Sequence, residues 1–308
     1  MKFTSRPYRE KADLDRLKSV LVEGRRASRH SGYTHVGDLE WVLFYDPDHK
    51  PRETTIRLWF DAAGDVAGWG RYQGSVYFEH HLLPDLRGSS FEEEIVRWCI
   101  DTVHAAGGPP LEDGPACATE IFEDDASTVT LLARLGFGPP KVTGLYFTQE
   151  LDAVIAAPAP PEGFTARAMT TSADDVDGRA AAHYAAFSPG SRMTADAYRA
   201  FMSAPGYDAA LDSIVQASDG RIAAYAMGWL DRDNLVGEFE PVGCRPEFRR
   251  LGLARAALVR GLLTMKDRGM ATAIVYTNAE NTAAAALYPS AGFELTNRFV
   301  TLSLPGTS

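Results

Sequence analysis

The sequence is short of the features that mark secreted, metal-dependent or membrane-embedded proteins. Three cysteines, Cys99, Cys117 and Cys244, are spread through 308 residues with no paired spacing. So sparse and odd a set excludes a disulfide scaffold or a cysteine zinc site and suits a reducing compartment. The seven histidines show no metal-ligand spacing. The one adjacent pair, His80-His81, would point to opposite faces of a strand and reads as core or solvated. No metal is expected. No apolar run approaches the ~20 residues of a membrane span. Met1-Lys2-Phe3-Thr4-Ser5-Arg6 is not an apolar leader, so a cytoplasmic protein is expected. Basic residues are also short: 31 Lys and Arg face 41 Asp and Glu, a net charge of −10. That balance argues against nucleic acid and anionic membranes as partners. The oligomeric state is left open between monomer and homodimer.

What is present is an ordinary globular composition, 45% hydrophobic, in a chain long enough for two domains of about 150 residues. The same plan occurs twice. Phe3-Thr4-Ser5-Arg6 recurs as Phe164-Thr165-Ala166-Arg167, and Gly64-Asp65-Val66-Ala67-Gly68-Trp69 as Gly220-Arg221-Ile222-Ala223-Ala224-Tyr225. Pro84-Asp85-Leu86-Arg87 recurs as Pro246-Glu247-Phe248-Arg249, and Leu135-Gly136-Phe137 as Ala291-Gly292-Phe293. Nearly constant offsets at four places read as a duplicated domain. The proline- and alanine-rich stretch Ala156-Ala157-Pro158-Ala159-Pro160-Pro161 reads as a linker. The expected division is residues 1–151, a linker over 152–163, and residues 164–308.

In the second half, the strand-like run Glu238-Phe239-Glu240-Pro241-Val242-Gly243-Cys244 leads to Arg249-Arg250-Leu251-Gly252-Leu253-Ala254-Arg255, which opens a helix expected from Leu253 to Arg268. Leu258, Leu262 and Met265 give that helix one apolar stripe, and Gly269 ends it. Gly252 and Ala254 leave the backbone N–H groups of the turn open to a ligand. The helix dipole adds positive charge there, so a diphosphate suits the place. Arg249 and Arg250 can add charged bonds to phosphate. The alternative is a plain helix start carrying surface arginines. A second run, Asn281-Thr282-Ala283-Ala284-Ala285-Ala286-Leu287-Tyr288-Pro289-Ser290-Ala291-Gly292-Phe293, reads as a capped short helix with a glycine stop. Pro289 is expected to end it early.

Together these runs resemble the GCN5-related N-acetyltransferases. Arg249, Gly252 and Ala254 match the family's Gln/Arg-x-x-Gly-x-Gly/Ala motif. Asn281, Ala284, Leu287, Tyr288, Gly292 and Phe293 match its Asn-x-x-Ala-x-x-Leu-Tyr-x-x-x-Gly-Phe motif. The resemblance covers residues 164–308 directly and implies an α/β fold with a mixed sheet, here two acyltransferase folds in tandem. It implies acetyl-CoA as co-substrate and a small-molecule amine as acceptor. Val242, Gly243, Cys244, Arg249, Arg250, Leu251, Gly252, Leu253, Ala254, Arg255 and Asn281 would hold the CoA. The tandem plan and Glu238 also resemble mycothiol-synthase-like enzymes. A non-catalytic acyl-CoA sensor or scaffold is a further alternative, and so is a protein N-acetyltransferase, whose open peptide groove a second domain over the cleft would oppose.

Glu238 and Glu240, two apart on one strand, should share a face with Val242 and raise one another's pKa. In the resemblance Glu238 takes the place of the general base and Tyr288 that of the general acid, with Glu240 binding a cationic acceptor or relaying through water. Pairing of the glutamates with arginines, and a core role for Tyr288, are the structural alternatives. Cys244 reads as a small buried residue. The acceptor should enter against residues 180–207, an aromatic stretch that could equally be helix core. The first half keeps the skeleton without the chemistry: Ser90 replaces Gly252, Glu92 replaces Ala254, and Leu132 replaces Tyr288. Glu92 places a carboxylate where the diphosphate would go. That half is expected to bind no CoA in the usual mode and to shape the acceptor cleft.

Overall fold

The computed structural model describes residues 2–28, 32–45, 51–106, 114–156 and 159–306. Ala157 and Pro158 of the expected linker lie outside them. The first half runs β1 (Thr4–Pro7), α1 (Ala12–Ser28), α2 (Val36–Phe44), α3 (Arg52–Thr55), β2 (Ile56–Phe60), β3 (Val66–Gly74), β4 (Tyr77–Leu82), α4 (Ser90–Ala106), β5 (Pro115–Phe122), α5 (Ala126–Arg134) and β6 (Lys141–Glu150). The second runs β7 (Phe164–Ala168), α6 (Ala173–Ala186), α7 (Ala195–Phe201), β8 (Asp212–Ala217), β9 (Ile222–Asp231), β10 (Val236–Cys244), α8 (Leu253–Asp267), β11 (Thr272–Asn278), α9 (Thr282–Ser290) and β12 (Glu294–Pro305).

The repeat read from sequence recurs in local chemistry. Arg6 forks onto Asp13 through two bonds of 2.7 and 2.6 Å, and Arg167 forks onto Asp175 through bonds of 2.8 and 2.5 Å. Each fork ties the first strand of a half to the start of its first helix. Gly64 and Gly220 take the left-handed conformation in equivalent hairpins, and short 3-10 turns at Pro84–Leu86 and Pro246–Phe248 follow the fourth strand of each half.

All twelve strands form one sheet in the order β1-β2-β3-β4-β5-β12-β6-β11-β10-β9-β8-β7. The order is a palindrome of the two halves except at its centre, where the last strands have changed places. β6 pairs with β11 over Thr272↔Glu150 to Asn278↔Gly144, and β12 pairs with β5 over Phe299↔Phe122 to Pro305↔Pro115. A boundary at residue 151 therefore divides the chain but not the sheet. The helices respect it no better: α2 of the first half lies on β9 and β10 of the second. A close approach at Gly37 permits this, since a Cβ there would stand 2.3 Å from Trp229 Cγ.

Each half keeps a core under its long helix. Leu258, Leu262 and Met265 of α8 pack with Phe239, Phe293 and Tyr288, and Phe147 and Leu151 of the first half complete that core. Residues 164–308 alone would leave β11 without its β6 neighbour and β12 without either partner, exposing this apolar surface and three rows of backbone groups. We expect that fragment to show no cooperative thermal unfolding by circular dichroism. A native-like melt would show that the strand exchange is dispensable.

Candidate active site

β10 and β11 run parallel only over Val236↔Thr272, Gly237↔Ala273 and Glu238↔Ile274. Beyond Glu238 the pairing ends, which frees the β10 backbone at Val242, Gly243 and Cys244 toward the opening. The pairing of β10 with β9 shifts between Phe239 and Val242, where Pro241 follows a cis peptide bond. Proline at the bulge has no N–H to leave unpaired. The bulge corrects the expected alternation. Val242 and Cys244 pack on the α8 side with Phe239 and do not share the face of Glu238.

The turn between β10 and α8 is an open nest of N–H groups. Arg250 (φ 69°) and Gly252 (φ 77°) are both left-handed, and Gly252 caps α8 without a side-chain bond. A Cβ at Gly252 would meet nothing within 4 Å. The first helical N–H groups have no intrahelical acceptor, so the turn presents donors and the positive end of the helix dipole together. Arg249, exposed, donates to the Cys244 and Ala186 carbonyls at 3.4 and 3.3 Å. Arg255 donates to the Ser290 carbonyl at 2.6 Å, tying the start of α8 to the end of α9. Leu251 is exposed.

In the first half the same nest is filled by the protein itself. Gly88 is left-handed (φ 72°), as Arg250 is, and the Glu92 carboxylate accepts the Gly88 N–H. Glu92 also accepts from Thr128 Oγ1 at 2.8 Å and contacts His80 Nε2 at 3.0 Å. Burial raises its pKa, but the bonds from His80, Gly88 and Thr128 outweigh that and hold it at about 2. Arg87, the counterpart of Arg249, is bound to Asp125, Tyr33 Oη and the Gly32 carbonyl.

Asn281 caps α9 by accepting the Ala284 N–H at 3.1 Å, as Asp125 caps α5 through Thr128 N–H. The helix does not end early at Pro289: α9 runs through Ser290. In the last turn the proline removes one intrahelical bond, which the turn closing on Tyr288 O tolerates. Tyr288 stays in register, 5% exposed, beside Phe147 and Phe293. Burial, then Glu240, raises its pKa, so its hydroxyl keeps its proton at neutral pH, and it makes no hydrogen bond within the described residues. Burial pushes the Cys244 thiol up to about 11, which leaves it protonated and a poor nucleophile.

Glu238 is 1% exposed and looks into the contact between halves. Its neighbours, His35 and Asp38, come from the start of α2, and Tyr276 from β11 donates to Asp38 Oδ1 at 2.8 Å. Burial raises the Glu238 pKa to about 7, against the opposing pull of Asp38 hydrogen bonds and the Arg25 charge. Glu240 is half-buried and forms no side-chain hydrogen bond within the described residues. Burial, then Asp38 and Glu238, raises its pKa well above the usual carboxylate range. Within the described residues neither glutamate is paired with an arginine.

A cavity of about 150 Å³ between the halves is lined by Glu238, Asp38 and Tyr276 together with Arg71, Glu79 and His81. Among the described residues four buried polar atoms of the lining side chains have no hydrogen-bond partner: Glu238 Oε2, Arg71 Nε, Glu79 Oε1 and His81 Nδ1. The aromatic stretch at 180–207 divides. Met193, Tyr198 and Phe201 are core, whereas Tyr184 and Phe187 are exposed. His35, Asp38 and Tyr276 escaped sequence reasoning. They carry no motif, and their role depends on which sheet α2 covers. Among the described residues no group of ligands suits a metal ion, and no helix is long and apolar enough to cross a membrane.

Comparison with known proteins agrees with this geometry. Residues 182–293 match the acetyltransferase (GNAT) family. Over 296 residues the chain is 30% identical to a mycothiol acetyltransferase of Salinispora arenicola, covering 92% of both chains. A mycothiol acetyltransferase of Cellulomonas flavigena is 35% identical over 154 residues, 46% of this chain and 43% of that protein. A tandem GNAT protein from the clavulanic acid biosynthesis pathway shares the fold over the full length of both chains, with TM-score 0.67 and 13% identity. The matched motifs, the duplicated fold and the near full-length likeness make this chain a member of the GNAT acetyltransferase family, an N-acetyltransferase of the tandem type.

Proposed function

We propose that the second half binds acetyl-CoA and that its acetyl group passes directly to the primary amine of a small molecule held between the halves. The observation that carries this is the contrast between two equivalent nests. One is closed by Glu92. The other, at Arg250–Ala254, is open, with unpaired N–H groups and arginines beside it. The diphosphate fits the open nest, the pantetheine arm fits the parted backbone of Val242–Cys244, and Asn281 lies beside that path.

Bound there, acetyl-CoA supplies an activated acyl carbon and a thiolate leaving group. Glu238 takes the proton from the attacking ammonium, and a carboxylate with a pKa of about 7 is matched to that task at neutral pH. Tyr288 donates its hydroxyl proton to the departing sulfur, and its lack of another partner leaves that proton available. Glu240 offers its carboxylate to the incoming cation or to a bridging water. The unsatisfied polar wall of the inter-half cavity suits an acceptor rich in hydrogen-bonding groups. A narrower reading, favoured by the full-length relatives, is that this chain too is a mycothiol acetyltransferase.

Calorimetric titration with acetyl-CoA tests the proposal. One site per chain is expected. Two sites would overturn the reading of the first half, and none would move the weight to a non-catalytic fold. Thiol release in the presence of the amine precursor of mycothiol then tests the narrower reading.

A further inference from the structure

Glu238 sits in an arrangement that makes little electrostatic sense unless a proton is present. His35 caps α2, and its Nδ1 accepts the Gly37 N–H at 3.0 Å. Its Nε2 faces the Val236 carbonyl at 3.2 Å, so Nε2 carries the ring proton and donates it there. Nδ1 therefore carries its one lone pair, which the Gly37 N–H shares. Yet Nδ1 stands 2.9 Å from Glu238 Oε2, an oxygen that accepts no aligned hydrogen bond. Two lone pairs at that distance repel, whereas a carboxylic acid O–H beside a lone pair attracts. The Asp38 carboxyl and backbone N–H are hydrogen-bonded to Glu238 as well. Two carboxyl groups can bond only through a shared proton, and here it sits on Asp38, whose pKa burial and Glu238 hold well above the usual carboxylate range, so both bonds favour the Glu238 carboxylate.

Resting on the reading of Glu238 as the base, we infer that His35 and Asp38 of the first half are positioning residues that set the strength of the catalytic base in opposite directions, His35 favouring its protonated form and the Asp38 donors its carboxylate. The degenerate half does more than wall the cleft: it supplies the partner for the proton-bearing form that the base must reach. The surroundings on every packed element fit. Arg25 on α1 donates to Tyr146 Oη of β6 at 3.3 Å and opposes protonation of both His35 and Glu238. Asp231 on β9 acts on His35 in the other direction. Glu240 on β10 and Tyr276 on β11 complete the ring. Burial, then Arg25, pushes His35 down to about 4, so the imidazole stays neutral and the proton belongs to the carboxyl pair.

The test needs neither the acceptor nor turnover. Infrared spectra of the full chain against pH, with Glu238→Gln to assign the band, report the carboxylic acid of Glu238. A Glu238 band titrating near neutral pH is expected. Serine caps a helix but is too short to face Glu238, so His35→Ser should lower the midpoint by about one pH unit, tenfold in proton affinity. His35→Asn places Oδ1 near the position of Nδ1 and should restore it. Asp38→Asn is isosteric and keeps the Tyr276 bond on its oxygen. It still turns a donor toward Glu238 and should leave the midpoint near that of the wild type, whereas Asp38→Ala removes the donor and should raise it, so Asp38→Ala decides the matter if His35→Ser does not fold. An unmoved midpoint in His35→Ser or Asp38→Ala, or equal shifts in the serine and asparagine variants at 35, would overturn the inference. Failure of the base reading is seen separately: Glu238→Gln would keep its turnover whatever the infrared midpoint does.

Discussion

Ala254→Glu is expected to abolish acetyl-CoA binding while leaving the fold in place. The first half shows why. There Glu92 stands at the equivalent position, folds back onto the Gly88 N–H and occupies the nest with its own carboxylate. Transplanting that glutamate puts the same anion over Arg250, whose backbone conformation matches that of Gly88. A carboxylate about 4 Å from a phosphate charge costs about 4 kcal/mol per pair at an effective dielectric of about 20. That is about a thousandfold in Kd, before the loss of the backbone donors is counted. Gly252→Glu should act similarly but adds strain, because residue 252 is left-handed at φ 77°. Isothermal titration with acetyl-CoA reads the loss, and the melting temperature of the unliganded protein checks the fold. Retained binding in Ala254→Glu would mean that the diphosphate lies elsewhere.

Glu238→Gln should separate catalysis from stability. Loss of a general base lowers turnover by about 10² to 10⁴, with acetyl-CoA affinity unchanged because Glu238 is remote from the nest. The stability effect runs the other way. The folded pKa of Glu238 lies above its ordinary value, so the folded state binds more protons than the unfolded one across that window. Its contribution to stability is present at low pH and is lost as pH rises toward and through about 7. The neutral amide never ionises and can donate to His35 Nδ1. Above pH 7 the variant is therefore expected to melt at a higher temperature than the wild type, with the difference vanishing in acid. A lower melting temperature at pH 8 would show that the ionised carboxylate is stabilised after all, contrary to its unpartnered oxygen.

Much of the molecule follows from local sequence. The order of strand, turn and helix around Arg249–Ala254, the cap at Asn281 and the duplicated skeleton all depend on residues near one another in the chain. Backbone conformation and capping act over a few residues. The occupation of the first nest by Glu92 is likewise set by alignment of the two halves, because the glutamate needs only to reach back four residues. Bulge geometry was half legible. Pro241 marks the irregularity, but the face on which Val242 lies depends on how β9 absorbs the extra residue.

The tertiary structure alone decided who faces Glu238. A strand or helix that covers a neighbouring half leaves the same apolar pattern as one that covers its own, since burial has no address. The exchange of β6 with β12 and the passage of α2 over β9 are therefore invisible in periodicity. They bring His35 and Asp38, some two hundred residues distant in the chain, into contact with the base. The identity of the base is written in the sequence of one half; its proton affinity is set by the other, because a buried charge answers to whatever packs against it.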